Sequence, residues 1–415
     1  MRILMLSSTF PYPPSRGGTE IRTFNLLKYL QQNHDVTLVT QYNKSVSDVE
    51  VEELRKYVSE LLIFPLPPDP QSKNPVAGLL AKTGRFLESV TKATPPNVLH
   101  RYSPEIQAFV DNCVREQKYD VITCEHSVNE IYIRPEFRYQ VNTVIDVHSS
   151  VYGWIRDHLE MGAAANALRD RLYLTLVLKR YEQRYCSKFS NIVVTTEDDR
   201  QEFLKLRPDI DIQVIPNGVD LDLFPYRHQD PGGHSLIFVG AMDASHNIDA
   251  ARFFAFAVFP ELQNRYPDAT FSIVGARPTP EVLSLEKIPG VKVLGRVPVM
   301  ADYLHKSTVC VVPLRTGFGI KNKTLEAMAA GVPTVASDRG LEGLDVDGES
   351  IPLAALRANH PAEYVDAISE LFDHPSLRAE LSHNGRQLVE TQFTWEIAGQ
   401  RYEQVCLGNG KKHYQ

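Results

Sequence analysis

Short apolar runs rich in valine and isoleucine alternate along this chain with stretches of helical periodicity and with glycine- and proline-bearing loops. The runs are too short for buried helices and carry few polar interruptions, the pattern of parallel strands covered on both faces. The first, Arg2–Ser7, leads into a loop with three prolines and the pair Gly17-Gly18. A helical pattern from Thr19 to Tyr29 and a second strand, Val36–Thr40, follow. Strand, glycine turn, helix and strand open a doubly wound α/β sheet, in which ligands sit beyond the carboxyl ends of the strands. Gly17 and Gly18 therefore belong at a cleft, with a positive-φ turn as the purely structural alternative.

Residues 48–61 read as a charged helix, 64–71 as proline-rich loop, and 77–93 as a helix pair. Strands at Val121–Cys124 and Thr143–Val147 each run into a histidine, His126 and His148. That position suits acid–base or binding work, and two such histidines in one half of the chain favour function for at least one. His148 is preferred; His126 is either core or acceptor-facing. The helix predicted over 166–189 combines an apolar face with Arg169, Arg171, Lys179, Arg180 and Arg184. A solvated face around a core stripe is preferred there over a peripheral membrane contact. After a strand at Ile192–Thr196 and a helix from Glu197, the segment Phe224–Ser235 has the character of an interdomain linker. A fresh α/β pattern starts at Leu236–Gly240, with strands at Thr270–Val274 and Val291–Leu294.

The stretch Val309–Ser337 carries the chemistry. A strand, Val309–Leu314, runs into a glycine-bearing loop, Thr316–Lys321, and a helix starts at Lys323 with Asn322 as its N-cap. Gly331 can end that helix in a left-handed conformation, and Pro333 cannot continue it. A helix N-terminus after a glycine loop presents N–H groups and a positive dipole end to a phosphate. Lys321 and Lys323 stand at that mouth; the plainer alternative makes them surface charges.

Composition narrows the choice. With 415 residues the chain is long enough for two to three domains, and 43% hydrophobic and 23% charged content are those of a soluble globular protein. A net charge of −7 gives no support to nucleic-acid binding. Five cysteines without a Cys-x-x-Cys pair read as reduced thiols, neither a disulfide frame nor a zinc site. The N-terminus reads as a strand, not a signal peptide, and no segment has the ~20 apolar residues of a membrane span. A cytoplasmic protein is expected.

In order along the chain stand the Gly17-Gly18 loop, His148, IPNGVD (Ile215–Asp220), FVG (Phe238–Gly240), FSIVG (Phe271–Gly275) and GFGIKNKTLEAMAAGVPTVAS. Together they resemble the retaining GT-B glycosyltransferases of glycosyltransferase family 4 over almost the whole length. The resemblance implies an α/β protein of GT-B architecture, two Rossmann-like domains with a cleft between them. Residues 1–225 would form the acceptor-side domain, 226–393 the nucleotide-sugar domain, and 394–415 a helix crossing back to the first. It implies that Gly17, Gly18 and Gly240 approach the donor diphosphate and that Gly319, Ile320 and Lys321 line it. Glu326 would accept from the ribose hydroxyls, with Gly275 beside the nucleoside, and His148 would lie near the reacting sugar. The usual glutamate eight residues before Glu326 is replaced by Phe318, and the usual Arg and Lys after the first strand of the second half by Ala241 and His246. Lys321, Lys323 and Arg315 are the substitutes, acting on the leaving diphosphate without a metal. Asp220 and Asp222, like Asp345 and Asp347, are then loop acids and not metal ligands.

The expected function is transfer of a sugar from a nucleotide diphosphate sugar, without a further cofactor, to a glycan or lipid-linked acceptor hydroxyl in cell-surface polysaccharide or glycoconjugate synthesis. The protein would act in the cytoplasm, with peripheral contact at the inner membrane face left open. A P-loop nucleotide-binding protein is the competing class, because residues 317–324 miss the Walker pattern only at Asn322, where it has glycine. A non-catalytic sugar-nucleotide-binding subunit is the third.

Overall fold

The computed structural model describes residues 1–42, 46–67, 75–160, 166–317 and 319–408; Phe318 lies outside them. The chain forms two compact units, Met1–Ile215 with the residues from Ala398 onward, and Pro216–Ile397.

The first unit is built on seven parallel strands: β1 (Arg2–Ser7), β2 (Asp35–Tyr42), β3 (Glu60–Pro65), β4 (Val121–Glu125), β5 (Asn142–Asp146), β6 (Asn191–Val194) and β7 (Ile212–Val214). Their order is β3-β2-β1-β4-β5-β6-β7. Ile3, Leu4 and Met5 of β1 are wholly buried, as a central strand covered on both faces requires. Leu26, Leu27 and Leu30 of the following helix, Gly18–Leu30, are equally buried. The direction of strand order reverses between β1 and β4, and at such a switch point an open α/β sheet leaves a crevice beyond its strand ends.

The second unit repeats the plan with β8 (Ser235–Val239), β9 (Thr270–Val274), β10 (Val291–Gly295), β11 (Val309–Val312), β12 (Thr334–Ala336) and β13 (Leu356–Arg357). All pairs are parallel and the order is β10-β9-β8-β11-β12-β13, with the reversal between β8 and β11. The glycine loop of Val309–Ser337 follows β11 and so opens at this switch point.

Several local expectations are corrected. The charged helix ends at Arg55, and Glu60–Pro65 is a strand, because Leu61 to Phe64 fit the sheet edge better than a solvated helix. Residues 75–92 form one helix, not two. Gly17 is extended at φ −176° and Gly18 starts its helix, so neither needs a positive φ. The second unit starts before the Pro/Gly-rich segment, since Leu221 and Phe224 already pack on its core and Arg227 Nη1 donates to Ser307 O at 2.8 Å. All five cysteines are buried free thiols.

Candidate functional site

In the second unit, the segment after β8 and the segment after β11 meet. The helix Asn322–Ala329 has Lys321 as its N-cap, not Asn322, and no side-chain cap. The Asn322 side chain is used differently: its Oδ1 accepts from Asn217 Nδ2 at 3.0 Å, tying the IPNGVD turn to the helix start. The helix stops as expected. Gly331 is left-handed at φ +73°, and the amides of Gly331 and Val332 reach back to Met328 O and Ala327 O.

Lys323 points across this helix start toward β8. Its ammonium donates to Asn247 Oδ1 and sits 4.8 Å from the centre of the Phe238 ring. Gly240 makes room for this: a Cβ there would stand 2.7 Å from Asn247 Nδ2 and 2.9 Å from Lys323 Nζ. Gly275 in turn makes room for Gly240, because its own Cβ would fall 1.7 Å from Gly240 O. The need for glycine at 275 is thus a close backbone approach. Among the described residues, no carboxylate lies within ion-pair distance of Lys323. Desolvation, reinforced by Lys321, pulls its pKa down to about 7, with Glu326 opposing.

Glu326 lies one turn further along the same helix face. Its carboxylate makes no hydrogen bond among the described residues, and burial raises its pKa to about 7 against the pull of Lys323. Both side chains keep some open surface while protein surrounds most of each. A cation at a helix N-terminus, with a free acceptor a turn below, suits a ligand that is anionic at one end and bears hydroxyls at the other.

Lys321 is committed elsewhere. It donates to Gly319 O and pairs with the buried Glu342 at 3.1 Å, while Glu342 also accepts from Gly319 N at 3.1 Å. Glu342 therefore shapes the glycine loop from below, a role with no signal in its own sequence surroundings. Ile320 is buried in the core, so only its backbone can face a ligand. Arg315 is held by Asp249 at 2.9 Å and lies over the Phe253 ring, 5.1 Å from its centre. His246 stands beside both lysines, and burial plus their charges lower its pKa to about 4. Asp220 accepts from the amides of Asp222 and Leu223, and Asp347 pairs with Arg357, as loop acids do. The hydroxyl of Thr324 is buried and donates to Gly340 O at 2.7 Å, so it is unavailable for the metal contact a P-loop needs.

In the first unit, the structure brings the two strand-end histidines together. His126 and His148 follow β4 and β5 and meet edge-to-face, ring centres 5.2 Å apart. Both have left-handed backbones, at φ +74° and +37°, a conformation that costs energy outside glycine and gathers at functional sites. Burial lowers the pKa of both, His126 to about 4, so both rings are neutral near pH 7. Among the described residues, His148 Nε2 has no hydrogen-bond partner. Behind them, Asp146 pairs with Arg22 at 2.5 Å, both wholly enclosed. Gly18 has open space where a Cβ would be. Sequence reasoning missed Asn247, Glu342, Arg22 and Asp146, whose partners lie far away along the chain.

Two family models match in sequence order: Glycosyltransferase Family 4 over residues 16–223, and Glycosyl transferases group 1 over residues 233–374. A curated relative is the GDP-mannose-dependent monoacylated alpha-(1-6)-phosphatidylinositol monomannoside mannosyltransferase of Corynebacterium glutamicum. It is 30% identical over 35% of this chain and 41% of its own length. The alpha-maltose-1-phosphate synthase of Mycobacterium tuberculosis is 26% identical over 52% of this chain and 63% of its own. The matched segments thus span less than two thirds of these relatives. Among solved structures, Anabaena HepE in complex with UDP-glucose aligns at a TM-score of 0.63 and 14% identity, covering 98% of this chain and 100% of that one. A mutant of S. aureus TarM bound to Fondaparinux, alpha-GlcNAc-glycerol and UDP aligns at 0.66 and 13%, covering 98% and 99%. At these identities the likeness is one of fold, the two-domain GT-B fold.

Proposed function

This chain belongs to glycosyltransferase family 4, and from that premise we propose that it is a retaining glycosyltransferase that uses a nucleotide diphosphate sugar. The observation that carries the proposal is the β8/β11 switch point, where Lys323 stands at a helix N-terminus with Glu326 one turn along, its carboxylate without a hydrogen bond among the described residues. The diphosphate lies at the helix N-terminus beside Lys323, and the ribose hydroxyls donate to Glu326. In the transfer step the bond between the sugar's anomeric carbon and the phosphate oxygen breaks, and its electron pair leaves with the diphosphate. The acceptor oxygen bonds to the same face of that carbon, and its proton passes to the departing phosphate oxygen. Lys323 and the helix dipole stabilise the charge that develops there, a task that needs no metal. His148 serves the reacting sugar, and His126 the acceptor side.

The printed name of the Corynebacterium relative, a GDP-mannose-dependent phosphatidylinositol monomannoside mannosyltransferase, supports a nucleotide-sugar donor and a glycolipid acceptor. A lipid-linked acceptor hydroxyl places the work at the inner face of a membrane, and a peripheral contact there is part of the proposal. Among the described residues, no helix is long and apolar enough to cross a membrane.

The test is thermal shift with a panel of nucleoside diphosphates, repeated for Lys323→Ala and Glu326→Ala. A ligand at 100 times its Kd raises stability by about 2.7 kcal/mol. We expect one or more diphosphates to do so, Lys323→Ala to weaken all of them about thirtyfold, and Glu326→Ala to weaken nucleotides without affecting inorganic pyrophosphate. Unchanged affinity in both variants overturns the site.

A further inference from the structure

One helical run in the first unit has two apolar sides. The helix Ala167–Tyr173 continues through a π turn, Leu174–Leu178, into the helix Lys179–Cys186. Its inward side, with Leu174, Val177, Leu178, Tyr181 and Tyr185, is buried in the core. Its outward side exposes Leu168, Leu172 and Leu176, at 73%, 45% and 39%. Isolated exposed leucines are ordinary, but a spacing of four aligns these three along one helix face. The expected solvated face is thus partly apolar, a feature that marks an interaction surface.

Charge says what covers it. Arg171, Lys179 and Arg180 are exposed on the same run and form no ion pair among the described residues, whereas Arg169 is tied to Asp170. The helix Pro75–Lys92 packs against the π turn and exposes Leu87, and the helix Val151–Glu160 packs there too and exposes Trp154. We propose that the leucine row 168, 172 and 176, flanked by Arg171, Lys179 and Arg180, docks the first unit on an anionic bilayer surface.

The outer face of a helix is a convex ridge, which a fluid lipid interface accommodates and a rigid partner must be grooved to receive. Leucines sink into the acyl boundary while the cations stay with the headgroups, and tryptophan favours the same depth. A second copy is the poorer occupant, because a twofold contact on this row would set the unpaired cations against each other. With a chain net charge of −7, attraction to an anionic surface has to be local to this face. The proposal deepens the reading of a lipid-linked acceptor, and its test involves no transfer chemistry, so either can fail alone.

The full chain is sedimented with vesicles of pure phosphatidylcholine and of phosphatidylcholine with phosphatidylglycerol, at low and high salt. Two variants are compared: Leu168→Ser/Leu172→Ser/Leu176→Ser, and Arg171→Gln/Lys179→Gln/Arg180→Gln. We expect binding to the anionic vesicles only, weakened by salt. Each cation removed should cost about fivefold in partitioning, and the leucine variant about tenfold or more. Unchanged melting temperature and unchanged nucleoside-diphosphate shift show that both variants are folded. Equal binding by the wild type and both variants overturns the proposal. So does a concentration-dependent dimer that the leucine variant abolishes while vesicles bind nothing.

Discussion

Lys323 is the residue on which the donor reading turns, and its protonation gives a test independent of activity. Desolvation and the neighbouring Lys321 lower its pKa from the ordinary 10.5 to about 7. A bound diphosphate replaces lost hydration with negative charge and drives the pKa back up. Binding at pH 8 should therefore take a proton from the buffer. In calorimetry the apparent binding enthalpy will then vary with the buffer's ionisation enthalpy, and Lys323→Ala will remove that dependence. An enthalpy independent of buffer in the wild type would count against Lys323 as the phosphate cation. The same residues carry a cost in the free protein. A lysine with a lowered pKa contributes stability at high pH that is lost as pH falls through about 7. A glutamate raised to about 7, as Glu326 is, contributes stability at low pH that is lost as pH rises through the same value. Both penalties overlap near neutrality, so Glu326→Gln should raise the melting temperature of the ligand-free protein at pH 7 while weakening nucleotide binding.

At the scale of elements, the two glycines implicated in donor binding should behave in opposite ways. Gly275 has φ +150°, and a Cβ there would meet Gly240 O at 1.7 Å, backbone against backbone with no flexible atom to yield. Gly275→Ala is expected to cost about 3 kcal/mol, or about 6–12 °C in melting temperature, whatever the ligand. Gly18 is helical, and among the described residues nothing lies within 4 Å of an added Cβ. Gly18→Ala should leave the melting temperature unchanged or slightly higher, since alanine is the better helix former, and should still depress transfer if a ligand approaches that backbone. A destabilised Gly18→Ala or a tolerated Gly275→Ala would reverse these assignments. The contrast also marks what was legible. Most of the strands, the Gly17-Gly18 loop and the β11 loop were readable because short β-branched runs and glycine positions are local signals. The N-cap was misread because the Asn322 oxygen is satisfied by Asn217, a residue 105 positions earlier that no local rule can pair with it. Strand β3 was missed because its sheet-edge residues are only partly buried and follow a charged helix without a glycine or proline break.

At the scale of the whole chain, the final segment returns to the unit in which the chain began. The helix Trp395–Cys406 packs on the first unit closely enough that a Cβ on Gly399 would strike the Tyr29 ring, at 2.2 Å. Tyr402 on this helix donates to Glu125 Oε1 at 2.7 Å. Glu125 ends β4 directly opposite Asp146 in the sheet register, and both carboxyls are essentially inaccessible. Burial first, and Asp146 second, raise the Glu125 pKa to about 8, so it stays protonated at neutral pH. Asp146 keeps Arg22 as its partner, so Glu125 is the member of the pair that holds the proton. Its folded pKa lies above its unfolded value. Its contribution to stability is therefore fully present below about 4.5 and is lost as pH rises through about 8. The wild-type melting temperature should decline across that window. Glu125→Gln keeps the acceptor for Tyr402, offers N–H donors toward Asp146 and has no proton to lose, so its melting temperature should be flatter and higher at pH 8. Tyr402→Phe should lose about 1–3 kcal/mol below pH 8, the cost of a buried acceptor left without its donor, and more above it, because the Tyr402 hydrogen bond favours the ionised form of Glu125. If the wild type and Glu125→Gln melt in parallel from pH 5 to 9, Glu125 is not the protonated carboxyl. The Tyr402–Glu125 hydrogen bond would then hold the closing helix on an ionised carboxylate, beside its packing on Tyr29 and the His34–Glu403 contact.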